Sequence, residues 1–387
     1  MATVRLAENA RVAEADYGLP GWVYRDDDAF EAERVRIFRR SWQIICHISD
    51  IPKPGDWQSL IVMHEPIVAV RGNDGAVRAF ANVCRHRGAR ILDGASGCAR
   101  KLICPYHAWT YELDGRLSGV PMRADYPALD PREHSLVEYH VEIWRGFVFV
   151  AIERPPASVA DMMVPHEAEV AHYRFEDMRA IGRVTERPRP ANWKNISENY
   201  SDGLHIPVAH PGLKRVFGPN YAVGTSEWVD RLGGPLVADP RESASERAYR
   251  TMLPEVAYLQ ADRQRTWVYF KLWPNTALDI YPDQIDFMQF LPLSPGETMI
   301  REIAYAIPDD RREMKAARYL NWRINRQVSR EDSGLVERVQ RGMQSASFER
   351  GPLGESEVCL RQFAKRIREI MPEARNLSAP PPGWGRA

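Results

Sequence analysis

Asn82-Val-Cys84-Arg-His86-Arg-Gly-Ala89 and Ile103-Cys104-Pro-Tyr-His107-Ala-Trp109 place four metal ligands in two short runs of one chain. Each run supplies one thiolate and one imidazole, as Cys-x-His and Cys-x-x-His. Two cysteines and two histidines suit a tetrahedral zinc, or a [2Fe–2S] cluster in which two histidines replace two cysteines on one iron. Zinc fingers more often pair like with like, cysteines first and histidines after. A mixed pair in each loop instead gives one thiolate to the first iron and one imidazole to the second. The ligand order favours the cluster, with a zinc-stabilised binding module as the alternative.

The rest of the composition is that of an ordinary globular protein. The chain has 387 residues, 44% of them hydrophobic, with 52 basic and 52 acidic side chains. That length allows two domains with real cores. Balanced charge gives no support to nucleic-acid or membrane partners. No apolar run approaches the ~18 residues of a membrane span, and no signal-peptide pattern opens the chain. The cysteines are Cys46, Cys84, Cys98, Cys104 and Cys359, an odd and sparse set unlike a disulfide framework. With two of them as ligands, the others are expected to be free thiols in a reducing cytoplasm. Cys98 has no histidine beside it and is left out of the ligand set.

Three regions follow from the pattern. Residues 1–40 read as an N-terminal arm packing on the C-terminal domain, with a charged segment from Asp26 to Arg40 in which Phe30, Val35 and Phe38 recur at roughly helical intervals. Residues 41–155 carry short β-rich runs such as Ile67-Val-Ala-Val and Gly146-Phe-Val-Phe-Val, separated by turns at Asn73-Asp74-Gly75 and Asp114-Gly115. This is an antiparallel β domain with both ligand loops at its centre, and a rigid sheet is what a preorganised cluster needs. Residues 156–387 open with a helical stretch near Asp161–Phe175 and a proline- and arginine-rich segment, Ile181–Pro190. Strands around Trp267, Thr276, Ile285 and Met299 follow, with a hairpin at Ser294-Pro-Gly. Two helices close the region, one from beyond Pro308 to about Gln344 and one near Glu355–Glu369. Strands followed by long helices give an α+β domain.

A second constellation lies at Glu198-Asn-Tyr-Ser-Asp202-Gly-Leu-His205-Ile-Pro-Val-Ala-His210-Pro. Asp202 and His205 are spaced to share one helix face. His205 and His210 diverge by about 140° on an ideal helix at ~100° per residue, too far to chelate one ion. Pro207 breaks that ladder and lets His210 swing back. Two surface histidines at a helix end are the plain alternative. The long helix offers a third ligand: Leu320, Ile324, Val328, Asp332 and Val336 form a stripe that places a carboxylate among apolar residues. A buried charge needs a cation partner, either an arginine or a metal. His205, His210 and Asp332 together make a 2-His-1-carboxylate triad, which leaves open positions on Fe(II).

Both constellations resemble one family. Cys84-x-His86-Arg-Gly with Cys104-Pro-Tyr-His107-x-Trp109 is similar to the Rieske motif of the non-haem iron aromatic-ring-hydroxylating oxygenases, catalytic alpha subunit. Glu198-Asn-Tyr-x-Asp202-x-x-His205-x₄-His210 and Glu331-Asp332-x₃-Val336-Glu337-x-Val-Gln340-x-Gly342 resemble its mononuclear-iron signatures. The resemblance implies a Rieske [2Fe–2S] domain and a catalytic domain whose antiparallel sheet is flanked by helices in a helix-grip, START-like arrangement. Ala89 and Tyr106 stand where respiratory Rieske proteins carry a disulfide, which implies a low-potential cluster near the bottom of the roughly −150 to +300 mV range. It further implies a homotrimer in which one subunit's cluster faces its neighbour's iron, with Asp202 bridging His107 across the interface and His205 within its own chain. No Gly-x-Gly-x-x-Gly fingerprint is present, so a separate NAD(P)H-dependent reductase, with or without a ferredoxin, is implied as donor. The implied reaction uses O₂ on a small organic substrate, by monooxygenation or oxidative demethylation rather than cis-dihydroxylation. A non-catalytic Rieske electron carrier would leave the second constellation unexplained. Pocket candidates are Phe217, Tyr221, Trp228, Tyr258, Trp267, Tyr269, Phe270, Trp273, Tyr281, Phe287 and Phe290, most of them expected to be core; such walls suit an aromatic ring or a quaternary ammonium.

Overall fold

Alternating apolar residues cut by tight turns build the first sheet. Its strands are β1 (Gln43–His47), β2 (Asp56–Val62), β3 (Glu65–Arg71), β4 (Val77–Ala81), β5 (Ser96–Cys98), β9 (Glu138–Trp144) and β10 (Phe147–Ala151), in the antiparallel order β1-β10-β9-β4-β3-β2-β5. The computed structural model describes residues 16–386, so the first fifteen residues of the expected N-terminal arm lie outside the described residues. A small second sheet, β6 (Leu102–Ile103), β7 (Thr110–Tyr111) and β8 (Leu117–Gly119), carries the second ligand loop between its first two strands. The first ligand loop follows β4. Arg145 (φ 47°) and Gly146 (φ 87°) both adopt left-handed backbone between β9 and β10. That is the two-residue hairpin whose twist matches the flanking strands.

The larger sheet is also antiparallel. It runs β11 (Arg179–Ala180), β18 (Glu297–Ala306), β17 (Ile285–Ser294), β16 (Thr276–Ile280), β15 (Thr266–Leu272), β14 (Val229–Pro235), β13 (Ala222–Thr225), with β12 (Thr185–Arg189) also paired to β18. Its residues alternate between two faces. Val268, Phe270, Leu278, Ile280, Ile285, Phe287, Ile303 and Tyr305 bury into a core that also contains Ile44, Trp144, Phe147 and Phe149 of the first sheet. The opposite face carries Tyr269, Asp279, Asp286, Met288, Phe290, Ile300 and Glu302. It is covered by helices Trp193–Ser201 and Arg312–Met343. The α+β architecture expected from the sequence is present, and register decides which residues face the helices.

Three local expectations change. The stretch Asp161–Phe175 is not one helix but two short ones, Val159–Met163 and Glu167–Val170, joined by a 3₁₀ turn at Pro165. The arm helix covers Asp27–Arg36, and a 3₁₀ turn, Phe38–Arg40, replaces its expected end. The proline- and arginine-rich segment supplies strand β12, where Pro188 is tolerated because the strand lies at the sheet's edge.

The described arm packs against both sheets' surroundings. Leu19, Trp22, Val23 and Tyr24 bury with Trp193, Phe363, Ile367 and Met371, and also with Ile45, Leu60 and Ile67. A fully buried ion pair fixes it: Lys194 donates to Glu33, and Trp193 Nε1 donates to the other Glu33 oxygen at 2.7 Å. Removing one member leaves the other charge buried without a partner, which costs about 3–5 kcal/mol. Glu33→Gln is therefore expected to lower stability by about that amount, read as a shifted midpoint in urea unfolding followed by tryptophan fluorescence.

Candidate metal centres

The two ligand loops are two copies of one turn. Cys84 N–H donates to Ala89 O (2.8 Å) and Gly88 N–H to Cys84 O (3.0 Å); Cys104 N–H donates to Trp109 O (2.9 Å) and Ala108 N–H to Cys104 O (3.0 Å). The fourth residue after each cysteine is left-handed, Gly88 at φ 73° and Ala108 at φ 53°. Both cysteines are buried, and His86 and His107 are half-buried beside them with rings 4.7 Å apart. Arg85, Arg87, Gly88, Pro105, Tyr106 and Ala108 are exposed around them. The sulfurs thus point inward and the imidazoles toward the surface, as expected for a centre that exchanges electrons with a partner. His86 Nδ1 is buried and has no hydrogen-bond partner, as a metal-ligating nitrogen would be. Tyr111 Oη accepts from Arg85 N–H at 3.0 Å and lies 3.4 Å from Cys84 Sγ. Its proton is free for the sulfur, a contact that tunes a cluster's potential. Cys46, Cys98 and Cys359 are free, and Ala89 and Tyr106 provide no bridge.

The second site forms where helix Trp193–Ser201 ends. Asp202 and His205 do not share a helix face. Asp202 caps the helix in extended backbone, and Gly203-Leu204 reverse the chain. His205 then precedes a short helix, Ile206–Ala209, and His210 follows it. Pro207 does not break a helix; it occupies the first turn, where a missing N–H costs nothing. His205 Nε2 and His210 Nε2 lie 3.1 Å apart, and Asp332 Oδ1 is 2.9 Å from His210 Nε2 and 3.6 Å from His205 Nε2. Donors about 2.1 Å from one ion and at right angles to each other are separated by about 3 Å. The three atoms would fit one triangular face of an octahedron, with His205 to Asp332 as the longest edge.

Each donor is held from behind. His205 Nδ1–H donates to Asp202 Oδ2 (2.9 Å) and His210 Nδ1–H to Glu331 Oε2 (2.7 Å), which leaves both Nε2 lone pairs for the ion. Asn199 Nδ2 donates to Asp332 Oδ1 at 2.8 Å. Glu331 and Asn199 received no role from the sequence, although both flank residues that did.

Comparison with known proteins agrees with this geometry. The Rieske [2Fe-2S] domain matches residues 41–138, and the ring hydroxylating alpha subunit (catalytic domain) matches residues 163–373. The carnitine monooxygenase oxygenase subunit of Escherichia coli K12 is 30% identical over 335 residues, 85% of each chain. This chain belongs to the Rieske ring-hydroxylating oxygenases, as an alpha subunit. The glycine betaine monooxygenase oxygenase subunit of Pseudomonas aeruginosa UCBPP-PA14 is 34% identical over 239 residues, 61% of this chain and 52% of that one. A quaternary ammonium Rieske monooxygenase solved with L-carnitine superposes with a TM-score of 0.75 at 27% identity, over 94% of this chain and 99% of that one. The family carries a [2Fe–2S] cluster and a mononuclear iron, and the donor sets described here fit both. As an oxygenase component it draws electrons from a reductase partner and uses O₂ on a small substrate. Among the described residues, no helix is long and apolar enough to cross a membrane.

The oxygenase's second site is built to hold positive charge. Burial alone would lower His205, but the carboxylates of Asp202 and Asp332 reverse this and raise it from 6.5 to about 9. His210 rises as well, because Asp332 and Glu331 outweigh burial. Burial would raise Asp332, and the two imidazoles with Asn199 instead hold it down near 2.

The cavity beside the triad, about 140 Å³, is smaller than the ~300–1,000 Å³ of drug-sized pockets and suits a small substrate. Of the expected aromatics, Tyr221, Tyr269 and Phe290 line it. Phe270 and Phe287 point to the other sheet face, and Phe217, Trp267 and Tyr281 pack in a neighbouring core cluster. Trp228, Tyr258 and Trp273 pack at the margin of that other-face core. The sequence missed Tyr200, Asp279, Asp286 and Glu302, and the pair Arg187 and Arg189 on β12.

The raised imidazoles set a sign for stability. In iron-depleted enzyme, protonated His205 stabilises the fold fully below its ordinary pKa of 6.5, and this is lost as pH rises toward about 9. Iron replaces the proton, so the iron-loaded enzyme is expected to stay level across the same window. Denaturant midpoints of both forms from pH 6 to 9.5 check this, and parallel curves would contradict it.

Proposed function

We propose that this oxygenase monooxygenates small N-alkylated organic cations at a carbon next to nitrogen. Substrate C–H, O₂, two electrons and two protons give C–OH and water; the carbinolamine then releases the amine and leaves an aldehyde. The observation that carries this is the small pocket beside the triad, walled by Tyr200, Tyr221, Tyr269 and Phe290, whose ring faces attract a cation. The carnitine- and glycine-betaine-oxidising relatives support the same class.

In this reading Cys84, His86, Cys104 and His107 hold the cluster, and His205, His210 and Asp332 hold the mononuclear iron. When bound, the cluster would supply single electrons and the mononuclear iron a site for O₂. Asp202, Glu331 and Asn199 orient the ligands. Ile196, Leu213, Phe290 and Val336 supply the apolar part of the pocket wall. The enzyme works as a homotrimer in the cytoplasm, with an NAD(P)H-dependent reductase, with or without a ferredoxin, as donor. Two features favour pairing between subunits. Among the described residues, the Asp202 carboxylate accepts only from Leu204 and His205 of its own chain, never from His107. Leu204 (53%) and Val208 (85%) beside it are exposed, as are Ile103 (51%), Tyr106 (56%) and Met122 (78%) near the cluster. Exposed apolar groups at both electron-transfer ends suit a contact between chains.

The test is oxygen uptake and aldehyde release with a reductase and NAD(P)H across N-methyl and N-alkyl ammonium compounds. An aromatic cis-diol as the only product would overturn the monooxygenase reading. Asp202→Asn is expected to retain both metals by iron content and visible absorption, yet to lose at least tenfold in coupled turnover. Wild-type turnover in that variant would remove Asp202 from the relay.

A further inference from the structure

The cavity wall facing the iron ligands holds charges that the metal site does not use. Asp279 on β16 and Asp286 on β17 are direct cross-strand partners and both line the cavity. They are 9% and 8% exposed. Like charges directly opposite each other destabilise a sheet, and burial without a cation adds to the cost. Asp279 accepts from the Tyr200 hydroxyl, and Asp286 Oδ1 accepts from Gln284 Nε2 at 2.8 Å. The other Asp286 oxygen has no hydrogen-bond partner among the described residues, and neither carboxylate has an ion-pair partner among them. Of the two guanidinium groups on the wall, Arg187 is already paired with Glu302 on β18 and Arg189 donates to the Pro188 carbonyl.

We infer that Asp279 and Asp286 form the subsite for the substrate's charged nitrogen, selecting a cationic amine over a neutral molecule of the same shape. This rests on the monooxygenase reading above and adds to it the group that reads the charge. The aromatic wall gives the cation a face to lie against, and the carboxylate pair gives it a counter-charge in a largely buried setting. Tyr269 and Phe290 complete the enclosure on the same sheet face. Burial lifts the Asp279 carboxyl to about 7, with Glu302 adding to the rise, and burial, Glu302 and Asp279 raise Asp286 as well. A bound cation lowers the cost of ionising the pair.

This arrangement separates stability from binding. Burial resists ionisation of the pair while no cation is bound, so replacing either carboxyl with an amide of the same shape should leave the fold at least as stable, while cation binding weakens. The experiment uses the holoenzyme under argon. It measures Kd for choline and for its neutral isostere 3,3-dimethylbutan-1-ol by calorimetry, in wild type, Asp279→Asn and Asp286→Asn. Wild type is expected to prefer the cation by roughly tenfold or more. Each variant should lose most of that preference, leave the isostere unchanged and melt no lower than wild type. Equal wild-type affinity for the two compounds overturns the subsite, and that comparison needs no variant to fold. Retained cation preference in both variants overturns it too. If choline and related N-alkyl cations are turned over despite either result, the monooxygenase reading survives alone; if no cation is oxidised while another substrate class is, both fall.

Discussion

Everything in the second half of the molecule depends on aiming three lone pairs at one point. Imidazole can offer either nitrogen, and the choice is made from behind: Asp202 takes the Nδ1 proton of His205 and Glu331 that of His210. Asn199 fixes the Asp332 oxygen that completes the triangle. The turn at Asp202-Gly203-Leu204 brings the two histidines together, and the long helix delivers both acids at consecutive positions. Without this bracing the same residues would be two histidines and an acid at a helix end.

The cluster loops follow the same economy with backbone instead of carboxylates. Two equal turns, each closed by two main-chain hydrogen bonds, put the sulfurs inside and the imidazoles outside. The two halves are then locked together below both sites. Arg301 of β18 donates to the carbonyls of Ile44 (3.3 Å) and Ile45 (2.6 Å) in β1, and Gln289 donates to Gln43 at 2.9 Å. A shared apolar core lies beside these bonds. The metal sites are thereby carried on one framework, while the groups that would pass an electron between them face outward.

The proposed ligands stand out in the sequence because ligands are few in kind and their spacing is chemically restrictive. Cys84, His86, Cys104 and His107 stand in matching turns, and His205, His210 and Asp332 meet as the spacing and the helix stripe suggested. The path between them was not legible. Helix geometry was assigned to Asp202 and His205, whereas a cap and a reversal place them, because local hydrogen bonds at Asp202 outcompete helix continuation. The pocket was half seen. Aromatic residues on strands look alike in sequence, and only the register of β15 to β18 separates Tyr269 and Phe290 from Phe270 and Phe287. Asp279 and Asp286 were passed over because a carboxylate in a strand reads as a solvent-facing residue until the sheet is known to be covered on both faces.

The central claim is that His205, His210 and Asp332 bind an iron distinct from the cluster. Metal analysis of Asp332→Ala, set beside its visible spectrum, tests this most directly. The variant is expected to lose one iron per chain and all oxygen uptake, while the cluster's absorption and sulfide content match wild type. Full iron content in that variant, or loss of the cluster along with it, would contradict the assignment.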